Sequence, residues 1–184
     1  RDRSPSRGLG DVYKRQEYIL KGIEFGDNEC MFSYALFVYS ETGKYTEEVD
    51  MWLKKAAEKD HVDAMYELGL FASEQNRIED SKKWYKKAIR KGHTTAMNNL
   101  ANIYEEEGNK REALKLYFKS AEKGNPLAFF NLGNYYEENN NIELAKEYYD
   151  KVLDSLKGYP TCKIEQEALA KLKKLQNNLE LENN

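Results

Sequence analysis

Cysteine and proline are scarce in this chain of 184 residues, which contains two cysteines and three prolines. Cys30 and Cys162 are too few for a disulfide-dense secreted scaffold or for a multi-cysteine zinc site. No apolar run approaches the roughly 20 residues that a membrane-spanning helix needs, so we predict no membrane span. The pI near 5.6 argues against a dedicated nucleic-acid-binding protein, which is usually basic, and we expect no nucleic acid as a partner.

Signatures of catalysis and metal binding are missing as well. The sequence contains no G-x-x-x-x-G-K, H-E-x-x-H, G-x-S-x-G or C-x-x-C motif. His61 and His93 occupy equivalent positions in a repeating pattern, and such positions in adjacent helix pairs lie about 10 Å apart. We therefore interpret both histidines as helix-start residues and predict no catalytic residue, no metal and no cofactor.

The first sixteen residues differ in character from the rest of the chain. The segment 6–16 (SRGLGDVYKRQ) back-translates into a string that resembles a transposase-type sequencing adapter. We therefore expect residues 1–16 to be a non-native, disordered tail, rather than a natural basic one, fused to a chain whose natural beginning is missing. On this hypothesis no targeting signal can be read. The body, residues 17–184, is then a single domain that is more acidic than the whole chain.

The body repeats itself every 32 residues. Ala64, Ala96 and Ala128 keep this spacing, as do several leucine, tyrosine and glutamate positions. We predict four repeats, at 27–60, 61–92, 93–124 and 125–156. Each repeat carries two apolar stripes of helical period with a glycine or asparagine break between them, which predicts a pair of antiparallel helices. A further amphipathic helix, predicted over 161–179, would cap the last pair.

Residue size at matching positions predicts how the helices pack. Small residues at Gly69, Ala101 and Gly133 should let the two helices of one pair approach closely. The large residues expected to fill the space between pairs are Trp52, Trp84, Leu116 and Tyr148. Because such helix pairs cannot bury their apolar faces alone, they must stack on their neighbours. The pattern thus predicts an all-α fold, an α/α solenoid of stacked helix hairpins with a C-terminal capping helix.

These units resemble the tetratricopeptide-type repeats, and within them the Sel-one-like branch. Residues 132–136 (LGNYY) are similar to the superfamily's L-G-x-x-Y, and residues 84–88 (WYKKA) look like the Sel-one-like branch. The resemblance covers roughly residues 17–156 and implies a right-handed superhelix that serves as a non-catalytic scaffold or adaptor. The 32-residue period is shorter than the usual 34, which leaves the branch open. Missing cysteine pairs argue against a secreted, disulfide-stapled member and favour the cytoplasm, although the compartment stays open.

The resemblance also implies that the first helix of each pair lines a concave groove. The groove positions carried over by register are Phe32, Leu36, Tyr66, Leu70, Glu74, Asn98, Asn99, Asn102, Glu106, Phe130, Asn131, Asn134 and Glu138. Asparagine can pair with the main chain of an extended peptide, and aromatic rings beside it supply anchors. We therefore predict an acidic groove, lined by asparagine and aromatic residues, that binds a protein or peptide of basic or amphipathic character.

Charge placement supports this interpretation. Acidic residues at the C-terminal ends of first helices oppose the helix dipole, which we interpret as a functional choice rather than a structural one. Because no lysine or arginine falls on the groove positions, a groove that clamps a terminal carboxylate is disfavoured. Two alternatives stay open. One is a repeat-type hydrolase of the Sel-one-like class, disfavoured by the missing cysteine pairs, and the other is RNA binding by a basic convex face.

Overall fold

Every regular element in the described part of the chain is α-helix. The computed structural model describes residues 16–160 and 162–182. After α1 (residues 16–24), the helices are α2 (Asn28–Thr42), α3 (Glu47–Glu58), α4 (Val62–Glu74), α5 (Ile78–Arg90), α6 (Thr94–Glu106), α7 (Lys110–Ala121), α8 (Pro126–Glu138), α9 (Ile142–Leu156) and α10 (Lys163–Glu182). This confirms the all-α helical-repeat prediction. The predicted tail lies outside the described residues except for Gln16, which belongs to α1.

Polar side chains begin most of these helices by capping free backbone N–H groups. Thr46 accepts a hydrogen bond from the Val49 N–H at the start of α3, and asparagines do the same at the starts of α7, α8 and α9. Pro126 occupies the first turn of α8, where its missing N–H costs nothing. His61 caps α4, since its Nδ1 accepts from the Ala64 N–H at 3.1 Å. The prediction that His61 starts a helix is confirmed.

Residues in the left-handed conformation end the helices and reverse the chain. Gly108 and Gly124 both have φ of 78°, after α6 and α7, which confirms the predicted break at each. Glycine adopts this conformation without a Cβ penalty. Asp60 and Asn140, with φ of 66° and 56°, end α3 and α8 in the same way because these two residue types tolerate it.

The described chain forms two compact units, divided after His93. In the first unit α2 pairs with α3 and α4 pairs with α5. In the second unit α6 pairs with α7, α8 pairs with α9, and α10 packs on α9. Each helix pair falls within one of the predicted repeats.

Inside a helix pair, a large buried ring lies against a small residue. The Tyr85 ring of α5 packs on Gly69 of α4, where an added Cβ would lie 2.5 Å from a ring carbon. Gly133 and the Tyr149 ring repeat this contact in the second unit, also with 2.5 Å. The Ser81 hydroxyl donates to the Gly69 carbonyl at 2.8 Å, which ties α5 to α4 at the same level. The prediction that these glycines allow close approach is confirmed.

The large residues predicted to fill the space between helix pairs are not the most deeply buried ones. Trp52, Trp84, Leu116 and Tyr148 are only half-buried. The fully buried large residues are their successors, Leu53, Tyr85, Tyr117 and Tyr149. The indole rings lie beside lysine ammonium groups instead, with the Lys87 Nζ 3.8 Å from the Trp84 ring centroid. Tryptophan is amphipathic and therefore suits a position between the core and the solvent. The buried face of each second helix is formed by the next residue, which is tyrosine in three of the four repeats.

The last helix, α10, covers the end of the second unit. Ala168 and Leu175 are buried against Tyr149 and Val152, with Leu172 partly buried beside them. The predicted bounds were 161–179, whereas α10 begins at Lys163 and runs to Glu182. Residues 180–182 therefore continue the helix beyond its predicted end. Leu179 is the last residue of the predicted capping helix, and its side chain is not among those that the structure describes.

Candidate functional site

The second unit carries an open cavity of about 700 Å³ along α8. Its lining residues are Glu105, Phe130, Asn131, Asn134, Tyr135, Glu137, Glu138, Asn140 and Lys171. Four predicted groove residues therefore come together in one wall: Phe130, Asn131, Asn134 and Glu138. The other four predicted residues of this unit, Asn98, Asn99, Asn102 and Glu106, do not line it.

Two of those four residues support the wall from behind. Asn131 Nδ2 lies 3.1 Å from the Oδ1 of Asn98 and 3.1 Å from the Oδ1 of Asn102, so it donates to both. Asn98 is only 2% exposed. Helical register predicts both of these asparagines to contact a ligand, whereas in the structure their side-chain oxygens hold Asn131. Helical register alone could not show this, because the amide contacts cross from α6 to α8.

Tyrosine hydroxyl groups hold the remaining polar groups of the wall. The Tyr149 hydroxyl is 2.8 Å from Asn134 Oδ1 and 2.8 Å from Glu137 Oε2. The Tyr117 hydroxyl makes the same two contacts with Asn102 and Glu105, at 2.6 and 2.8 Å. Burial first, and then the hydrogen bond to the glutamate, raise the pKa of both phenols well above its ordinary value. Both hydroxyl groups therefore stay protonated and remain donors at neutral pH.

These contacts correct the interpretation of the acidic helix ends. Glu105 and Glu137 lie near the C-terminal ends of α6 and α8, where the helix dipole disfavours them. Each nevertheless accepts a hydrogen bond from a core tyrosine, so these two have a structural reason to be there. The sequence itself contains a pattern that indicates this glutamate–tyrosine pairing. Glu105 and Glu137 keep the 32-residue spacing, as do Tyr117 and Tyr149.

Lys171 brings a positive charge into the wall from α10. Its Nζ lies 2.8 Å from Glu137 Oε2, and the Lys174 Nζ lies 3.4 Å from Glu137 Oε1. Burial acts to raise the pKa of Glu137, but hydrogen bonds from Lys171 and Tyr149 outweigh it, and the net pKa is lowered. No lysine falls on the predicted groove positions, and Lys171 adds one to this wall because it comes from α10, which lies outside the repeats.

In the first unit, two predicted groove aromatics are stacked under histidine rings. The Phe32 and His61 ring centroids are 4.4 Å apart, and those of Tyr66 and His93 are 4.5 Å apart. The His61 Nε2 also lies 3.0 Å from Glu29 Oε2. His61 therefore joins the α2–α3 pair to the α4–α5 pair. Among the described residues, no group of three or more histidine, cysteine, aspartate or glutamate side chains could hold a metal ion.

The other predicted residues of the first unit are Leu36, Leu70 and Glu74, which differ in exposure. Leu36, 37% exposed, lines a cleft of about 340 Å³ with Ile19 and Phe37. Leu70 is half-buried in α4, and Glu74 is exposed at the end of the same helix. None of the helices in the described part combines the length and apolar character needed to cross a membrane.

Comparison with known proteins places the repeats in a family. One sequence model of the tetratricopeptide repeat matches residues 62–90 and 127–155, and another matches residues 96–126. A Sel1 repeat protein from Oxalobacter formigenes is 24% identical with a TM-score of 0.67, over 76% of this chain and 63% of that one. Among curated proteins, none matches the sequence significantly.

Two further structures share the fold. A protective antigen of uropathogenic Escherichia coli strains, which displays an SLR fold, is 25% identical with a TM-score of 0.66, over 76% of this chain and 33% of that one. MamA is 21% identical with a TM-score of 0.57, over 81% of this chain and 91% of that one. The chain thus spans about a third of the antigen and less than two thirds of the Sel1 repeat protein.

Residues 62–155 thus carry three matches to tetratricopeptide repeats, and the fold is similar to that of Sel1 repeat proteins. Repeats of this kind are generally non-catalytic scaffolds for protein–protein interaction.

Proposed function

We propose that the cavity along α8 binds an extended, basic peptide segment of a partner protein, so that the chain acts as a scaffold or adaptor. The observation that carries the proposal is the composition of one wall. Side-chain amides, two aromatic residues and an excess of carboxylates line a single open cavity of about 700 Å³. Amides pair with a peptide main chain, and aromatic rings anchor side chains.

The charge of the wall favours a basic ligand. Three carboxylates, from Glu105, Glu137 and Glu138, line the cavity against one ammonium group. That ammonium group belongs to Lys171 and is ion-paired with Glu137. The carboxylates of Glu105 and Glu138 have no ion pair among the described residues, so a lysine or arginine side chain of a ligand would complement them.

A peptide-library experiment tests the proposal. The probes are three nine-residue, N-acetylated and fluorescently labelled libraries, random except for a central lysine, alanine or glutamate. We expect the lysine library to bind most strongly and the glutamate library least, in fluorescence polarisation at low salt. Equal binding of the three libraries, or binding of none, would contradict the proposal.

A pair of variants ties that binding to the cavity. Glu138→Gln removes an exposed carboxylate from the wall, and we expect about three- to fivefold weaker binding of the lysine library. Glu143→Gln is the matched control, because Glu143 is exposed on α9 of the same unit and does not line the cavity. An equal loss in both variants would point to the net charge of the protein rather than to this site.

A further inference from the structure

The solvent side of α5, in the first unit, concentrates positive charge. Lys83, Lys86 and Arg90 are exposed along it, and Lys87 is half-buried beside them. Because these residues are three or four positions apart on a helix, their side chains are neighbours on one side of it. The acidic residues of α5 lie only in its first turn. These four cationic residues are called the basic face below.

Helix stability does not explain the basic face. Like charges at such spacing repel each other and destabilise a helix. Burial, and after it the charges of Lys83 and Arg90, lower the pKa of Lys87, which shows how close these charges are. The helix dipole favours Arg90 in the last turn, but Lys83 lies in the middle of the helix. Neither Lys83 nor Arg90 has an ion pair in the described part of the chain.

The second helices of the other unit neutralise comparable lysines. Lys115 of α7, which lies 32 positions after Lys83, pairs with Glu112 at 2.6 Å. On α9, Lys151 pairs with Glu147, also at 2.6 Å. A lysine in the middle of a second helix can thus be paired on its own helix, and Lys83 is not. The basic face therefore calls for an anionic partner from outside the chain.

The composition of the basic face favours a lipid surface over the other anionic macromolecules. Lysine is depleted at protein–protein interfaces, and its ammonium group is strongly hydrated. Trp84 is half-buried and has the Lys87 Nζ 3.8 Å from its ring centroid, so it is a poor platform for stacking a nucleic-acid base. Anionic headgroups, in contrast, attract clustered lysines on an amphipathic helix, and indole rings suit the headgroup level of a bilayer.

We propose that the basic face of α5, together with Trp84, binds the surface of a membrane that contains anionic lipids. The contact is peripheral, with the cations among the headgroups and no segment inserted. Because the net charge of the chain is −3, the attraction comes from this face, within the screening length of about 8 Å at physiological ionic strength. The proposal is independent of the proposed function, since the cavity along α8 belongs to the second unit.

Vesicle binding with a built-in reporter tests the proposal. The probes are vesicles of phosphatidylcholine alone and of phosphatidylcholine with an equal part of phosphatidylglycerol. The two tryptophans of the chain are Trp52 and Trp84, so Trp52→Phe leaves Trp84 as the single reporter. We expect co-sedimentation with the anionic vesicles at low salt, a blue shift of the Trp84 emission on binding, and neither effect with phosphatidylcholine alone. High salt should release the protein.

Two double variants assign that binding to α5. Lys83→Gln/Arg90→Gln removes two exposed charges of the basic face, and we expect about ten- to thirtyfold weaker partitioning onto the anionic vesicles. Lys115→Gln/Lys119→Gln is the matched control, because it removes two exposed charges from α7 and changes the net charge equally. The control should bind nearly as well as the native protein.

Several results would overturn the proposal. One is the absence of co-sedimentation of the native protein with the anionic vesicles. Another is an equal loss in both double variants, since net charge would then explain it. Binding of polyuridylate or a polyglutamate peptide in place of the vesicles, lost in Lys83→Gln/Arg90→Gln, would assign the face to another class of partner. If Trp52→Phe does not fold by circular dichroism, co-sedimentation of the native protein and the double variants decides. Peptide binding in the cavity along α8 stands or falls separately.

Discussion

At the scale of single residues, the tyrosine of each second helix has two roles in the second unit. The rings of Tyr117 and Tyr149 are buried in the core, at 1% and 0% exposure, while their hydroxyl groups reach the polar wall. One side chain therefore contributes apolar burial and also positions Asn134 and Glu137. Core packing and the proposed site are thus built from the same residues.

Removing one of these hydroxyl groups should lower stability. We expect Tyr149→Phe to reduce the free energy of unfolding by about 1–2 kcal/mol, because Asn134 and Glu137 lose the hydroxyl group that both of them contact. Tyr148→Phe is the control. Tyr148 is half-buried and stacks on Tyr136, a ring contact that phenylalanine keeps. Urea unfolding measures both variants, and an equal effect of the two would contradict a specific role for the Tyr149 hydroxyl.

The contact of Gly133 with the Tyr149 ring predicts that Gly133→Ala lowers stability, whereas helix propensity alone predicts that it raises stability. In an exposed helix, glycine to alanine stabilises by about 1 kcal/mol. Gly133→Ala should instead destabilise the protein by about 1–2 kcal/mol, because the new Cβ would meet a buried ring at 2.5 Å. Thermal or urea unfolding gives the sign. The reverse change at the equivalent position, Ala101→Gly, should also destabilise, and a more stable Gly133→Ala protein would contradict the packing argument.

At the scale of elements, Glu137 joins α8, α9 and the cap helix α10. It accepts hydrogen bonds from Tyr149, Lys171 and Lys174. Its pKa in the folded protein is lowered from the ordinary 4.5, despite burial, by the lysine and tyrosine hydrogen bonds. The stabilisation is therefore present above about pH 4.5 and is lost as the pH falls through the folded pKa.

This linkage makes the effect of Glu137→Gln dependent on pH. At pH 7 we expect the variant to be less stable than the native protein by about 1 kcal/mol, since both lysines lose their ion pair. The difference should shrink to zero as the pH falls below the folded pKa. Urea unfolding between pH 7 and pH 3 measures it. Glu138→Gln, next in sequence but exposed and without an ion pair in the described region, should show no such dependence.

The start of α6 gives a second pH-dependent prediction. Burial lowers the pKa of His93, and Asp63 at 3.4 Å from its Nε2 opposes this without cancelling it. A histidine whose folded pKa is lowered stabilises the fold above the unfolded value near 6.5, and this stabilisation is lost as the pH falls towards the folded pKa. NMR titration should give a pKa below 6.5 for His93. Asp63→Asn should lower that pKa further, whereas Asp80→Asn, on α5, should leave it unchanged.

The sequence could predict the elements better than the contacts between them. The 32-residue period, the glycine breaks and the capping residues depend on local chemistry, so the helices of the described part follow from them. The internal use of Asn98 and Asn102 depends on contacts between α6 and α8. Lys171 reaches the wall only because α10 packs on α9. Such contacts link residues about 30 positions apart. The apolar pattern of one helix does not indicate which residues of another helix it will contact.

At the scale of the whole molecule, the distribution of charge should govern how a ligand approaches. The chain carries a net charge of −3, yet α5 alone holds five lysine or arginine residues. The net charge of the chain therefore does not indicate the electrostatic potential at one surface. The three glutamates that line the cavity should themselves attract a basic peptide.

Salt should therefore slow the association of that peptide. Charges on an exposed wall are screened within about 8 Å at physiological ionic strength and within about 3 Å at 1 M salt. The association rate of the lysine-centred peptide should fall several-fold between these conditions, while the dissociation rate changes less, because steering acts before contact and amide hydrogen bonds act after it. Stopped-flow fluorescence measures both rates. An association rate that does not respond to salt would mean that the carboxylates of the wall take no part in capture, even where the peptide binds.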